Sequence, residues 1–135
     1  MSVIVVIDAE PVVRSTVAKI LESGGHSVQA AADFHKGRDL IRSSRPALVI
    51  TNVFLPGITG HDAMLELRKE FPSLQVLMVS GLPDDPAIQH WMTQKGFDAF
   101  PKPFSAESLL VKVRESLEAE AGDNRKEKTS HGAVL

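Results

Sequence analysis

VITNVFLPG, residues 49–57, is the stretch on which the fold turns. A β-branched run closes on Thr51-Asn52 and breaks into a loop holding Pro56 and Gly57. An apolar run ended by polar residues and then by turn formers is the pattern of a strand buried on both faces, with its carboxyl end opening onto a functional rim. Parallel-sheet proteins often place a carboxylate at such an end. This chain places the neutral amide of Asn52 there.

Similar runs recur on both sides of it. Val3–Ile7 is continuous and β-branched, Ser27–Ala31 is a weaker strand, and Ala47–Thr51 is the run just described. Gln75–Ser80 closes on Gly81, and Phe97–Pro101 is a short fifth strand. Helical spacing fills the intervals. Pro11 opens a helix carrying Val13, Val17, Ile20 and Leu21, stopped by Gly24-Gly25. Asp33 starts another with Phe34, Leu40 and Ile41. Ala63, Met64, Leu65 and Leu67 mark a third, ended at Phe71-Pro72. Asp84 and Pro86 open a fourth that bears Ile88, Trp91 and Met92, with Trp91 assigned to the core. Ser105 caps a last helix with Leu109, Leu110, Val113 and Leu117.

Strands alternating with helices imply an α/β fold: a doubly wound, five-stranded parallel sheet with helices on both faces. No internal repeat or linker interrupts residues 1–119, which form one expected domain. Residues 120–135 lose the apolar period and are expected to be a polar, disordered tail.

Composition narrows the function. A net charge of −2 argues against a nucleic-acid surface. Without cysteine there is neither a disulfide framework nor a thiolate metal site. MSVIVVIDAE has no basic leader, and its apolar run is too short for a signal peptide or a membrane span. A cytoplasmic protein that makes no membrane contact is expected. The five histidines show no metal-ligand spacing, and DAEPVV lacks the glycines of a dinucleotide fingerprint or P-loop.

In open parallel sheets, function collects at the carboxyl ends of the strands. Those ends carry Asp8, Ala9 and Glu10 after the first strand, Asn52 after the third, Ser80 after the fourth and Lys102 after the fifth. Each also has a plain structural reading: Asp8 and Glu10 as helix caps, Ser80 as a strand end, Lys102 as a solvated charge. Four polar strand ends in one fold favour a site.

The ordered set resembles a receiver domain of bacterial two-component response regulators, over roughly residues 2–119. VVIDAEP is similar to the family's strand ending in an acidic pair, and LVITNVFLPGITG to its aspartate-bearing strand and loop. VLMVSG resembles the strand ending in Ser or Thr, and FPKPF the Lys-Pro pair. Positions 8, 52, 80 and 102 stand 44, 28 and 22 residues apart, natural spacings for that family. The resemblance implies a flavodoxin-like fold with strand order 2-1-3-4-5. It also implies phosphoryl transfer from a histidine kinase to an aspartate beside a divalent cation, and a cis bond before Pro103.

Residue by residue, Asp8 matches the first acid of the pair, while Ala9 stands where the second, a metal ligand, would be. Asn52 stands at the phosphoacceptor, Ser80 at the hydroxyl and Lys102 at the lysine. The family's aromatic three residues before the lysine falls on Ala99, with Phe100 one residue later. A neutral amide is a far poorer nucleophile than a carboxylate. Magnesium prefers hard, charged oxygens. Asp8, helped by Glu10, is the only residual ligand, so magnesium binding is expected to be weak or absent and no cofactor is implied.

The expected function is therefore that of a phosphorylation-independent, receiver-like module, not an enzyme, binding a histidine kinase or a downstream effector through its last two helices. Lys102 would then serve as a fixed internal cation paired with Asp8 or Asn52. A homodimer is compatible with the sequence. Two alternatives stand beside this. One is a conventional phosphoacceptor in which Asn52 is engineered or Thr51 or Ser80 accepts instead. The other is a small-ligand binder at the altered rim.

Overall fold

The structure, a computed structural model, describes residues 2–52, 55, 57–58, 60–80, 86, 90, 98–101 and 105–118. Lys102, Trp91, the rest of the helix expected from Asp84, the Lys102-Pro103 bond and the tail lie outside the described residues, as does the side chain of Ser80.

Five strands, β1 (Val3–Ile7), β2 (Ser27–Ala31), β3 (Leu48–Asn52), β4 (Val76–Ser80) and β5 (Asp98–Pro101), form one sheet in the order β2-β1-β3-β4-β5. Every pairing is parallel. Among the described residues, helices run over α1 (Pro11–Ser23), α2 (Phe34–Ser44), α3 (Gly60–Glu70) and 106–118, and Pro86 and His90 are helical as well. The order expected from the sequence is the order observed.

Alternation along the strands sorts the core into two layers, because successive side chains point to opposite faces. Val5, Ile7, Val49, Val76 and Met78 pack with Phe34 and Ile41 of α2 and with Ala63 and Leu67 of α3. Ile4, Val6, Leu48, Ile50, Leu77 and Val79 pack with Val17 and Leu21 of α1 and with Leu109 and Val113 of the helix over 106–118. A sheet covered on both faces needs unbroken apolar strands, which explains the continuous β-branched runs. Leu65, one of the apolar residues that mark α3 in the sequence, is 39% exposed. At about 100° per residue it sits roughly 200° round from Ala63, whereas Leu67 returns to the buried side.

Local chemistry sets the helix ends. Pro11 occupies the first turn of α1, where its missing N–H costs nothing. Gly24 and Gly25 close that helix, with Gly25 at φ +89, a conformation that suits glycine. The Asp33 carboxylate accepts from the Lys36 N–H at 2.8 Å and caps α2. Asp33→Ala should therefore cost about 1 kcal/mol, read as a lower urea midpoint with an unchanged m-value. Ser105 and Ser108 cap the last helix reciprocally. The Ser108 N–H donates to Ser105 Oγ at 3.0 Å, and the Ser105 N–H to Ser108 Oγ at 3.1 Å.

Ion pairs unforeseen in the sequence tie α2 to α3. Arg38 reaches Glu66 at 2.7 Å, and Arg42 grips Glu70 through two guanidinium nitrogens. Hydrogen bonding from Arg42 holds the Glu70 carboxyl below its ordinary value. The resulting stability is present above the ordinary carboxylate pKa and is lost as pH falls through the lowered one. The pair is exposed, so the effect is small and screened by salt. Glu70→Gln should flatten that part of the acid-unfolding curve, measured by urea titration at low and high ionic strength.

Candidate functional site

The sheet register assembles the rim. Ile4 stands opposite Leu48, Val6 opposite Ile50 and Ile7 opposite Thr51. One step further, the register carries Asp8 to Asn52. The Asn52 amide Nδ2 donates to Asp8 Oδ2 at 3.4 Å, joining residues from the ends of β1 and β3. Asn52 in turn pairs with Val79, so Ser80 is the next residue along the rim, and Ser80 pairs with Pro101, the residue before Lys102. The backbone thus brings the ends of β1, β3, β4 and β5 to one edge. Ala99 falls opposite Met78 and Phe100 opposite Val79.

Asp8 is the buried acid of this edge, only 4% exposed. Both of its oxygens accept from the chain: Oδ1 takes the Glu10 N–H at 2.9 Å and Oδ2 takes the Asn52 amide. The Asp8 carboxylate therefore shapes the turn into α1 and does not cap the helix. Glu10 holds the N-cap position, but its side chain makes no capping bond and lies exposed, as does Ala9. Arg14, one turn into α1, donates from Nη1 to the Asp8 carbonyl at 2.7 Å. Sequence reasoning missed this contact, although a cation in a helix's first turn opposes the helix dipole and signals a compensating partner.

Thr51, one of the alternative acceptors, is 1% exposed, and its hydroxyl donates to the Asn52 carbonyl at 3.1 Å.

A divalent cation would find a poor donor set here. Asp8 offers one carboxylate whose oxygens already receive two N–H groups, Ala9 offers no side-chain oxygen, and Asn52 turns its N–H₂ toward the acid. An octahedral magnesium shell calls for several free, hard oxygens. The described residues do not fit it. Among the described residues, no three His, Asp or Glu side chains gather elsewhere to hold a metal. Nor is any helix among them long and apolar enough to cross a membrane.

The chain is similar in sequence and fold to known proteins. Response regulator MprA of Mycolicibacterium vanbaalenii is 30% identical over 121 residues, 90% of this chain and 52% of MprA. The probable transcriptional regulatory protein TcrX of Mycobacterium tuberculosis is 32% identical over 111 residues, 82% of this chain and 47% of TcrX. The chain spans about half the length of these curated relatives. Among solved structures, NtrX from Brucella abortus superposes with a TM-score of 0.87 at 28% identity, over 95% of this chain and 29% of NtrX. A CheY-like receiver domain protein from Methanospirillum hungatei shares the fold with a TM-score of 0.83 at 24% identity, over 91% of this chain and 98% of that one. With residues 4–114 matching the response regulator receiver domain, this chain belongs to that family of two-component signalling domains.

Proposed function

We propose that this receiver transmits signals by protein–protein contact and does not accept phosphate. The observation that carries the reading is the Asn52–Asp8 hydrogen bond. The end of β3, where the family's acceptor aspartate stands, bears an amide that donates to the neighbouring acid. An amide oxygen has no charge to give to phosphorus, and its product would not be an acyl phosphate. Ala9 removes a second carboxylate from the same edge. Thr51 is no substitute, since its hydroxyl is buried and already donating.

The partner is a signalling protein, a histidine kinase or a downstream effector, met in the cytoplasm. The response-regulator relatives support that class, and the chain's net charge of −2 speaks against its touching nucleic acid directly. On this reading the domain is a binding module, not an enzyme.

Incubation with acetyl phosphate and magnesium, followed by intact-mass measurement, tests the proposal. An unchanged mass is expected. A phosphoryl gain removed by hydroxylamine would mean an acyl phosphate and overturn it.

A further inference from the structure

Among the described residues, β2 is an outer strand of the sheet, with β1 on one side and no strand on the other. The phase of the ladder decides what its free side presents. The Ser27 N–H donates to the Ser2 carbonyl at 2.8 Å, and the Ala31 carbonyl accepts the Asp8 N–H at 3.1 Å. Bonding groups alternate along a strand, so Ser27, Gln29 and Ala31 face β1, while Val28 and Ala30 turn their N–H and C=O groups outward. Those groups have no hydrogen-bond partner among the described residues. The preceding outward N–H, that of His26, donates to the Leu21 carbonyl at 3.2 Å, so α1 closes the row at its start.

Proteins usually blunt an outer strand with charge, proline or a bulge. The sequence of β2, Ser-Val-Gln-Ala-Ala, carries neither charge nor proline, and its five residues pair with β1 without a bulge. Ala30 is exposed, and Val28 is half-buried against the core layer under α1. Gln29 lies beside Val5 on the α2 face, and its Oε1 is buried without a partner. An acceptor left in that state costs stability.

We propose that β2 is a pairing edge for a second copy of this chain, joined antiparallel about a two-fold axis between the two Gln29 residues. Val28 of each copy then stands opposite Ala30 of the other, and each such pair exchanges two N–H···O=C bonds. Every outward group of both strands is satisfied at once. A two-fold pair closes on itself and leaves no further edge of this kind. Gln29 meets its own copy at the close, non-hydrogen-bonded position, about 4.5 Å between Cα atoms. There each side-chain amide can turn to donate from Nε2 to the other's Oε1, which gives the orphaned acceptor a partner. Val28 covers the exposed Ala30 methyl opposite it, and a neutral strand brings no like charges together. One pairing of five residues covers less than a standard interface of about 1,600 Å², so the dimer is weak and its population rises with concentration.

Sedimentation velocity of the full chain over a concentration series, together with amide exchange read by NMR, tests this. The parent should dimerise reversibly. Its Val28 and Ala30 amides should gain protection with concentration, while Gln29, already bonded to β1, stays protected throughout. Ala30→Pro removes an outward N–H and should weaken the dimer about tenfold or more, since two hydrogen bonds are lost across the axis. Ala30→Lys and Ala30→Asp change only an exposed side chain and leave the row of N–H groups intact. Each alone sets like charges on a diagonal about 7–8 Å apart and should weaken self-association about two- to fivefold. An equimolar mixture of the two should recover the parent's association. A chain that stays monomeric at millimolar concentration would overturn the proposal. So would a dimer whose Val28 and Ala30 amides exchange as fast as the monomer's, or one that the Ala30 variants leave unchanged.

Discussion

The double variant Ala9→Asp/Asn52→Asp should take up phosphate from acetyl phosphate in the presence of magnesium, whereas the parent chain gains none. The register explains why two changes suffice. Asn52 already sits one step beyond the Ile7–Thr51 pair, against Asp8, so a carboxylate there would join a buried acid at the strand ends. Ala9 is exposed and follows Asp8 directly, so an aspartate side chain at that position has room to turn to the rim. Three carboxylates would then gather where one now accepts two N–H bonds. Like charges at about 4 Å repel by roughly 4 kcal/mol at an effective dielectric near 20. Without metal, the double variant should therefore melt well below the parent. Magnesium should recover that loss by binding the folded state alone, while leaving the parent's melting curve unchanged. Intact mass with and without hydroxylamine reads the first effect, and thermal unfolding with and without magnesium the second. If the double variant shows neither, the residues assigned to the rim are wrong.

A second large effect is expected at Gly37, on the inner face of α2. A Cβ there would lie 2.3 Å from Cδ1 and 2.7 Å from Cγ1 of Ile7. Ile7 is itself a fully buried residue of β1, so its side chain has little space into which to retreat. Alanine is the better helix former by about 1 kcal/mol, and on an open helix face it would stabilise. Overpacking of a tight core costs about 1–3 kcal/mol, so Gly37→Ala should be a net loss, and Gly37→Val a larger one. Ile7→Val alone should cost about 0.5–1.5 kcal/mol. Combined with Gly37→Ala it removes the clashing methyl, so the double variant should be more stable than the two single losses predict. Urea unfolding of the four proteins measures that coupling. Additive losses would show that the close approach of α2 to β1 is not the cause.

Much of the fold was legible because its two periods are strong. Val3–Ile7 and Ser27–Ala31 have the bounds read from the sequence, and β3 and β4 begin one residue later than expected, within the blur of strand ends. Asp33 and Ser105 announced their helices by capping chemistry that is local in sequence. The edge formed by Asp8 and Asn52 was legible too, since strand ends in a parallel sheet converge by topology. Less visible were contacts that depend on how elements are set against one another. The Arg38–Glu66 and Arg42–Glu70 pairs join residues 28 apart, a distance at which no periodicity speaks. The left-handed turn at Arg45 carried no glycine to mark it. The residue sits just before Pro46, where a helical conformation is disfavoured, and that was the available hint. Leu65 helps to mark α3 in the sequence, but its exposure could not be read there, because consecutive apolar residues on a helix cannot all face inward.

The even-numbered step Ile4–Leu48, Val6–Ile50, Asp8–Asn52 gives the receiver a sidedness. The amide–carboxylate contact is the topmost rung of the ladder packed by α1 and the helix over 106–118, and Arg14 of α1 holds the same rung from above. The odd rungs belong to α2 and α3. A force applied at Asn52 is therefore borne directly by the α1 side, while α2 and α3 pack on the opposite face of the sheet.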